Sequence, residues 1–163
     1  MPNRNLEYTV RPATNEDLPA VQSLLQPYVD AKKLLKRTKA ELLTLIANGF
    51  VAEATMPADS DLRQDEHQRI VGFSAVEIYS RKLSEVQCLA VDENFHGRGI
   101  GSELVRRCVE KAREKGVLEV MAISASDNFL RNLGFQYALP DQKRALFYQL
   151  KTRDQLNSEI VEE

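Results

Sequence analysis

The chain has 163 residues, 43% apolar and 28% charged, ordinary proportions for a globular protein of about one domain. Its 22 basic and 24 acidic residues leave a net charge of −2, so nothing suggests a nucleic-acid footprint, which needs clustered excess Lys and Arg. No apolar run approaches the roughly 18 residues of a membrane span. Met1-Pro2-Asn3-Arg4-Asn5 leads into charge and alternation, not a signal-peptide core, so a cytoplasmic protein without nucleic-acid or membrane partners is expected.

In chain order, Tyr8–Arg11 reads as a strand stopped by Pro12. Thr14-Asn15-Glu16-Asp17 resembles a capped helix start, followed by a stripe at Leu18, Val21, Leu24, Leu25, Tyr28 and Val29. Thr38-Lys39-Ala40-Glu41 fits a second capping box before Leu42, Leu43, Leu45 and Ile46, and Asn48-Gly49 ends that helix. Phe50–Ala54 and Ile70–Tyr79 then read as strands around a polar, acidic stretch from Met56 to Gln68, expected to be a mobile hairpin loop.

Glu85–Val91 is a further strand, and Ile100, Leu104, Val105, Cys108, Val109 and Ala112 form a helical stripe supported by Glu103 and Arg107. Val117–Ile123 reads as a buried strand, Asp127–Leu133 as a short helix closed by Gly134, and Phe135–Ala138 and Leu146–Leu150 as two last strands. The order is β-α-α-β-β-β-α-β-α-β-β, a mixed α/β domain over residues 1–151. A charged tail, 152–163, is open between a frayed helix and disorder. The two cysteines, Cys88 and Cys108, have apolar neighbours and are expected to be reduced core thiols.

The stretch richest in chemistry is Leu89-Ala90-Val91-Asp92-Glu93-Asn94-Phe95-His96-Gly97-Arg98-Gly99-Ile100-Gly101-Ser102. A strand runs into a short connection, and alternate glycines open an amphipathic helix. Main-chain N–H groups at such a helix start favour an anion, and glycines let the backbone approach a bulky diphosphate. The dinucleotide fingerprint is excluded because it needs glycine at Ser102, and the P-loop because Gly-Lys-Ser/Thr is absent. On spacing alone, a glycine-eased corner without a ligand is equally compatible.

This segment resembles the acetyl-CoA motif of the GNAT superfamily of N-acetyltransferases, Gln/Arg-x-x-Gly-x-Gly/Ala, with His96 departing at its first position and Gly99 and Gly101 matching. The resemblance runs from about Tyr8 to Leu150 and implies a mostly antiparallel central sheet flanked by helices, with acetyl-CoA as cosubstrate and no metal. It implies cofactor contacts from Leu89, Ala90 and Val91 on the strand, from His96, Gly97, Arg98, Gly99, Ile100, Gly101 and Ser102 in the turn, and from Phe129 on the following short helix. It implies direct acetyl transfer to an amine, with Glu85 at the position of a general base and a main-chain N–H near Cys88–Ala90 for the oxyanion. Leu130 stands where many members carry a tyrosine acid, and Ser124, Ser126 and Tyr137 are weak substitutes.

Within the superfamily, Lys33-Leu34-Leu35-Lys36-Arg37-Thr38, Phe50-Val51-Ala52-Glu53 and Tyr79 resemble the acetyltransferase domain of bacterial N-acetylglutamate synthases, which also tend to lack that tyrosine. By that resemblance Arg37 contacts an acidic acceptor, and Lys143 and Arg144 fall where the subgroup carries another basic pair. A planar guanidinium suits a carboxylate. The expectation is an N-acetyltransferase for a small-molecule amine, glutamate or a similar acidic amino acid. The alternatives are a polyamine, antibiotic or protein N-terminus as acceptor, or an acetyl-CoA-sensing module without turnover. Many members dimerise, so a homodimer is compatible with the resemblance.

Overall fold

A computed structural model describes residues 7–56, 67–124, 126–137 and 145–160. Five strands form one sheet in the order β1 (Tyr8–Pro12), β2 (Gly49–Met56), β3 (His67–Ile78), β4 (Leu83–Val91) and β5 (Glu119–Met121). The first four run antiparallel, and β5 joins β4 in parallel. Helices α1 (Leu18–Asp30) and α2 (Lys39–Ile46) precede β2, and α3 (Ile100–Glu114) follows β4. Two short helices, α4 (Asn128–Asn132) and α5 (Arg153–Ser158), are the last elements among the described residues.

The sheet carries a core on each face. On one side Leu18, Val21 and Leu25 of α1 and Leu42, Leu45 and Ile46 of α2 cover Val51, Phe73 and Ala75. On the other, Ile100, Leu104, Cys108 and Ala112 of α3 cover Ala52, Val71 and Val76. That stripe recurs at helical spacing, so α3 buries one face while Glu103 bonds Arg107 on its exposed side at 3.0 Å. Cys88 and Cys108 are both free and buried.

Both capping signals form, with different outcomes. Thr38 and Glu41 bond reciprocally at 2.8 and 3.1 Å, and α2 starts there. Asp17 accepts from the Thr14 N–H at 2.8 Å, and also binds both Nη atoms of Arg11 at 2.8 and 2.9 Å. One acidic side chain therefore caps the entry to α1 and ties it to β1.

Several boundaries differ from the sequence reading. The hairpin strands extend to Met56 and begin at His67, because Met56 faces His67 and Thr55 faces Gln68 in the ladder. Residues 57–66, the rest of the expected loop, lie outside the described residues. β5 is three residues long, shorter than Val117–Ile123. The strands expected at Phe135–Ala138 and Leu146–Leu150 are not formed among the described residues, and Ala138 lies outside them. Leu146, Phe147, Tyr148 and Leu150 are exposed instead. Apolar, β-prone sequence becomes a strand only where a neighbouring edge takes its main-chain bonds. The tail forms α5, capped by Thr152 and Gln155 and bound to the α1–α2 connection through Lys32–Asp154 at 3.1 Å.

Candidate active site

β4 pairs with β5 only over Leu83–Glu85, opposite Glu119–Met121. β5 ends at Met121, opposite Glu85, and from Val86 to Val91 that edge of β4 has no strand partner among the described residues. The main chain of Leu89, Ala90 and Val91 therefore lies on an edge that no described strand covers. β4 also bulges here. Phe73 faces Ala90 and Ala75 faces Gln87, so Cys88 and Leu89 together stand opposite Ser74. Cys88 takes the left-handed region, with φ 56°, which costs a non-glycine residue about 1–2 kcal/mol. The buried Ser74 hydroxyl holds the distortion by donating to the Gln87 carbonyl at 3.2 Å.

The end of β4 leads into the glycine turn. Asp92 accepts from the Asn94 N–H at 2.9 Å and pairs with Arg69 at 2.6 Å, and Phe95 plugs the α3 side of the core. His96 folds back so that its Nε2 lies 2.8 Å from the Val91 carbonyl, which also accepts from the Tyr28 hydroxyl. Gly97 and Gly99 have φ of 74° and 81°, and Gly99 is the N-cap of the 15-residue α3. A long helix thus begins with main-chain N–H groups at a turn that glycine alone adopts without strain, suited to an anion.

Gly101 lies in the first turn of α3, where a Cβ would stand 3.6 Å from the Phe129 ring. Phe129 of α4 is thereby set beside the turn. Arg98 stacks over the Phe95 ring at 5.3 Å and gives its carbonyl to the Tyr8 hydroxyl. Ser102 is half-buried in the same first turn, whereas the Ile100 side chain is buried in the core, leaving only its main chain to face a ligand.

On the α1–α2 face a polar line crosses β3 and β4. Glu77 lies opposite Glu85 in the ladder, and Ala75 opposite Gln87. Tyr79 donates to Glu85 Oε2 at 2.5 Å, and Gln87 Nε2 donates to Glu77 Oε2 at 3.1 Å and to the Tyr79 oxygen at 3.2 Å. Arg37, just before α2, donates from Nη2 to Gln87 Oε1 at 2.9 Å, while its buried Nε has no partner. Burial, followed by the hydrogen bond to Glu85, pushes the Tyr79 hydroxyl well above its ordinary pKa, so it stays a donor. Burial also raises the Cys88 thiol, against the opposing effect of the adjacent Arg37.

Two expected site residues, Arg37 and Glu85, are therefore joined through residues the sequence reading did not use as a set. Glu85 is buried, at 8% exposure, and not a solvated strand end. Gln87 and Glu77 were missed. Their signal was the two-residue spacing of Glu85 and Gln87 and of Glu77 and Tyr79, which puts each pair on one face of its strand. Leu130 is buried against the core, Ser124 donates to the Ser126 carbonyl, and Tyr137 is exposed beside Arg131. Lys143 and Arg144 lie outside the described residues. A cleft of about 590 Å³ opens between α1 and the loop after β4, beside Tyr28, Arg69 and Asp92. Arg37, Glu85 and Gln87 are not among its lining residues, so it is distinct from the polar line.

The model of the acetyltransferase (GNAT) family matches residues 34–135. An uncharacterised N-acetyltransferase of Chlorobaculum tepidum is 29% identical over 127 residues, 78% of this chain and 74% of its own. An amino-acid acetyltransferase of Mycobacterium tuberculosis is 28% identical over 132 residues, 81% of this chain and 70% of its own. A Mycobacterium tuberculosis protein solved in complex with CoA superposes with a TM-score of 0.66 at 27% identity, covering 81% of this chain and 75% of that one. N-acetylglutamate synthase of Neisseria gonorrhoeae, solved with coenzyme A and N-acetyl-glutamate, superposes with a TM-score of 0.65 at 22% identity, a likeness of fold. That match takes in 96% of this chain but 33% of the larger protein. With the unpaired β4 edge, the bulge and the glycine turn in the places that the family match spans, the chain belongs to the acetyltransferase (GNAT) family, whose enzymes use acetyl-CoA.

Proposed function

We propose that the protein is an N-acetyltransferase whose acceptor is a small amino acid bearing a carboxylate in addition to its amine, glutamate or a close relative. The observation that carries this reading is the line from Arg37 to Glu85. It sets a guanidinium with a buried, unpartnered N–H on the same face as a buried carboxylate, beside the free edge of β4. The amino-acid acetyltransferases among its relatives support the same acceptor class.

The residues present suit the donor. The turn from His96 to Ser102, with open space where a Gly97 Cβ would stand, suits a diphosphate, and the Leu89–Val91 edge suits an extended amide-bearing arm. Acetyl-CoA, when bound, supplies a thioester carbonyl as the acetyl source. Cys88 and Leu89, out of register at the bulge, offer an N–H to negative charge developing on that oxygen.

Glu85 receives the proton that the acceptor ammonium must shed, directly or through water. Tyr79 holds the receiving carboxylate by its hydroxyl. Arg37 binds the acceptor carboxylate and so orients the amine. The test is an acceptor panel of about twenty amino acids and polyamines, with CoA release followed by free-thiol detection. Glutamate or another acidic amino acid should lead. Spermidine, an aminoglycoside or a peptide N-terminus acetylated at least tenfold faster would overturn the acceptor, and binding without turnover of any amine would leave a sensing module.

A further inference from the structure

Gln87 is gripped on its two ends by groups of opposite sign. Its Oε1 accepts from Arg37 Nη2 at 2.9 Å, and its Nε2 donates to Glu77 Oε2 at 3.1 Å and to Tyr79 at 3.2 Å. The orientation follows from chemistry, since a guanidinium has only donors and a carboxylate only acceptors. One neutral amide therefore stands between a cation and an acidic cluster that reaches Glu85 through Tyr79. In contact, Arg37 and Glu77 would neutralise each other and leave little charge for a ligand. With the amide between them, Arg37 has no carboxylate hydrogen bond or ion pair among the described residues.

From this arrangement we infer that Gln87 determines specificity as a neutral spacer. It keeps Arg37 and the Glu77–Tyr79–Glu85 cluster apart as two poles, so that the site selects a zwitterion. The acceptor carboxylate goes to the Arg37 pole and its ammonium to the acidic pole. A polyamine lacks the first group and meets the guanidinium as a like charge, and a dicarboxylic acid without an amine lacks the second. This inference rests on the proposed use of this face as the acceptor site. The Gln87 side chain bonds Arg37, Glu77 and Tyr79, none of them in the glycine turn, and acts through Arg37.

Three variants test it, with the acceptor KM and the calorimetric Kd for glutamate in the presence of CoA as readouts. Gln87→Glu keeps the shape but makes the spacer an anion that pairs with Arg37, so both constants should rise about tenfold or more, with CoA affinity unchanged. Gln87→Met keeps length without charge and should cost less than Gln87→Glu. If Gln87 only packs and bonds, the order reverses, because the glutamate retains the bond to Arg37 and the methionine does not. The double variant Glu77→Gln/Gln87→Glu restores a donor–acceptor pair between positions 77 and 87 but still neutralises Arg37, so the constants should stay high. Recovery to wild-type values in the double variant would show that repulsion from Glu77, not loss of the free guanidinium, caused the defect, and would refute the spacer. Failure of the acceptor reading itself is visible earlier and separately. The wild-type protein would then show no preference for an amine bearing a carboxylate over its neutral analogue.

Discussion

Placing a carboxylate at position 101 should separate folding from donor binding by moving them in opposite directions. Gly101 is the second residue of α3 and has ordinary helical geometry, and its missing Cβ would meet the Phe129 ring at a comfortable 3.6 Å. Gly101→Asp therefore adds no steric strain. It replaces the poorest helix former short of proline, and it puts a negative charge in the first turn of a helix, where that is worth about 0.3–1 kcal/mol. Thermal stability should hold or rise by a degree or more.

The same charge would repel a diphosphate held at the start of α3. For two like charges about 5 Å apart at an effective dielectric of about 20–40, the repulsion is about 1.7–3.3 kcal/mol, a loss of about 15- to 250-fold in CoA affinity. Calorimetric titration with CoA and a melting curve on the same sample read both effects. Gly99 makes a poorer test, because φ 81° strains any replacement and would mix folding with binding. If Gly101→Asp binds CoA within threefold of wild type while folded, the anion site at the start of α3 is wrong, and with it the placement of the donor.

Glu85→Gln should lower kcat by about 10²–10⁴-fold at neutral pH, with the defect shrinking as alkali deprotonates the acceptor unaided. Near-normal turnover would remove Glu85 from proton transfer. Arg37→Ala should raise the acceptor KM by about 10- to 150-fold, the cost of one charge-assisted contact, with CoA affinity unaltered; Arg37→Lys should recover part of it. The Asp17 carboxyl is held below its ordinary value of 3.8, first by Arg11 and further by Thr14. A depressed folded pKa means its contribution is complete above that value and lost as pH falls below it. Asp17→Asn should thus cost about 1–3 kcal/mol in urea unfolding at pH 7, a range lowered by the part-exposure of Arg11, and the gap should narrow near pH 3.

Most of the local structure was legible because local chemistry causes it. Thr38 and Glu41 lie within one turn of each other, so the box that starts α2 is written in four consecutive residues. The stripe of α3 needs only its spacing, and the turn before it only glycines where φ is positive. The missing C-terminal strands show the limit. Leu146–Leu150 has strand-forming side chains, yet a strand is defined by a partner edge, which no window of sequence contains.

The parts of the proposed donor site were legible in the sequence because they are contiguous: a strand, a turn and a helix start within fourteen residues, from Leu89 to Ser102. The sequence also named Arg37 and Glu85, singly. Their connection through Gln87 and Tyr79 arises only on folding. Arg37 and Glu85 are 48 positions apart in the chain, and what connects them is the antiparallel register that sets Glu77 against Glu85 and Ala75 against Gln87. A shift of one residue would turn those polar side chains to the α3 face. Gln87 had no sequence motif to announce it, because its role is defined by the opposite charges at its two ends, and those meet only when α2 packs on the sheet.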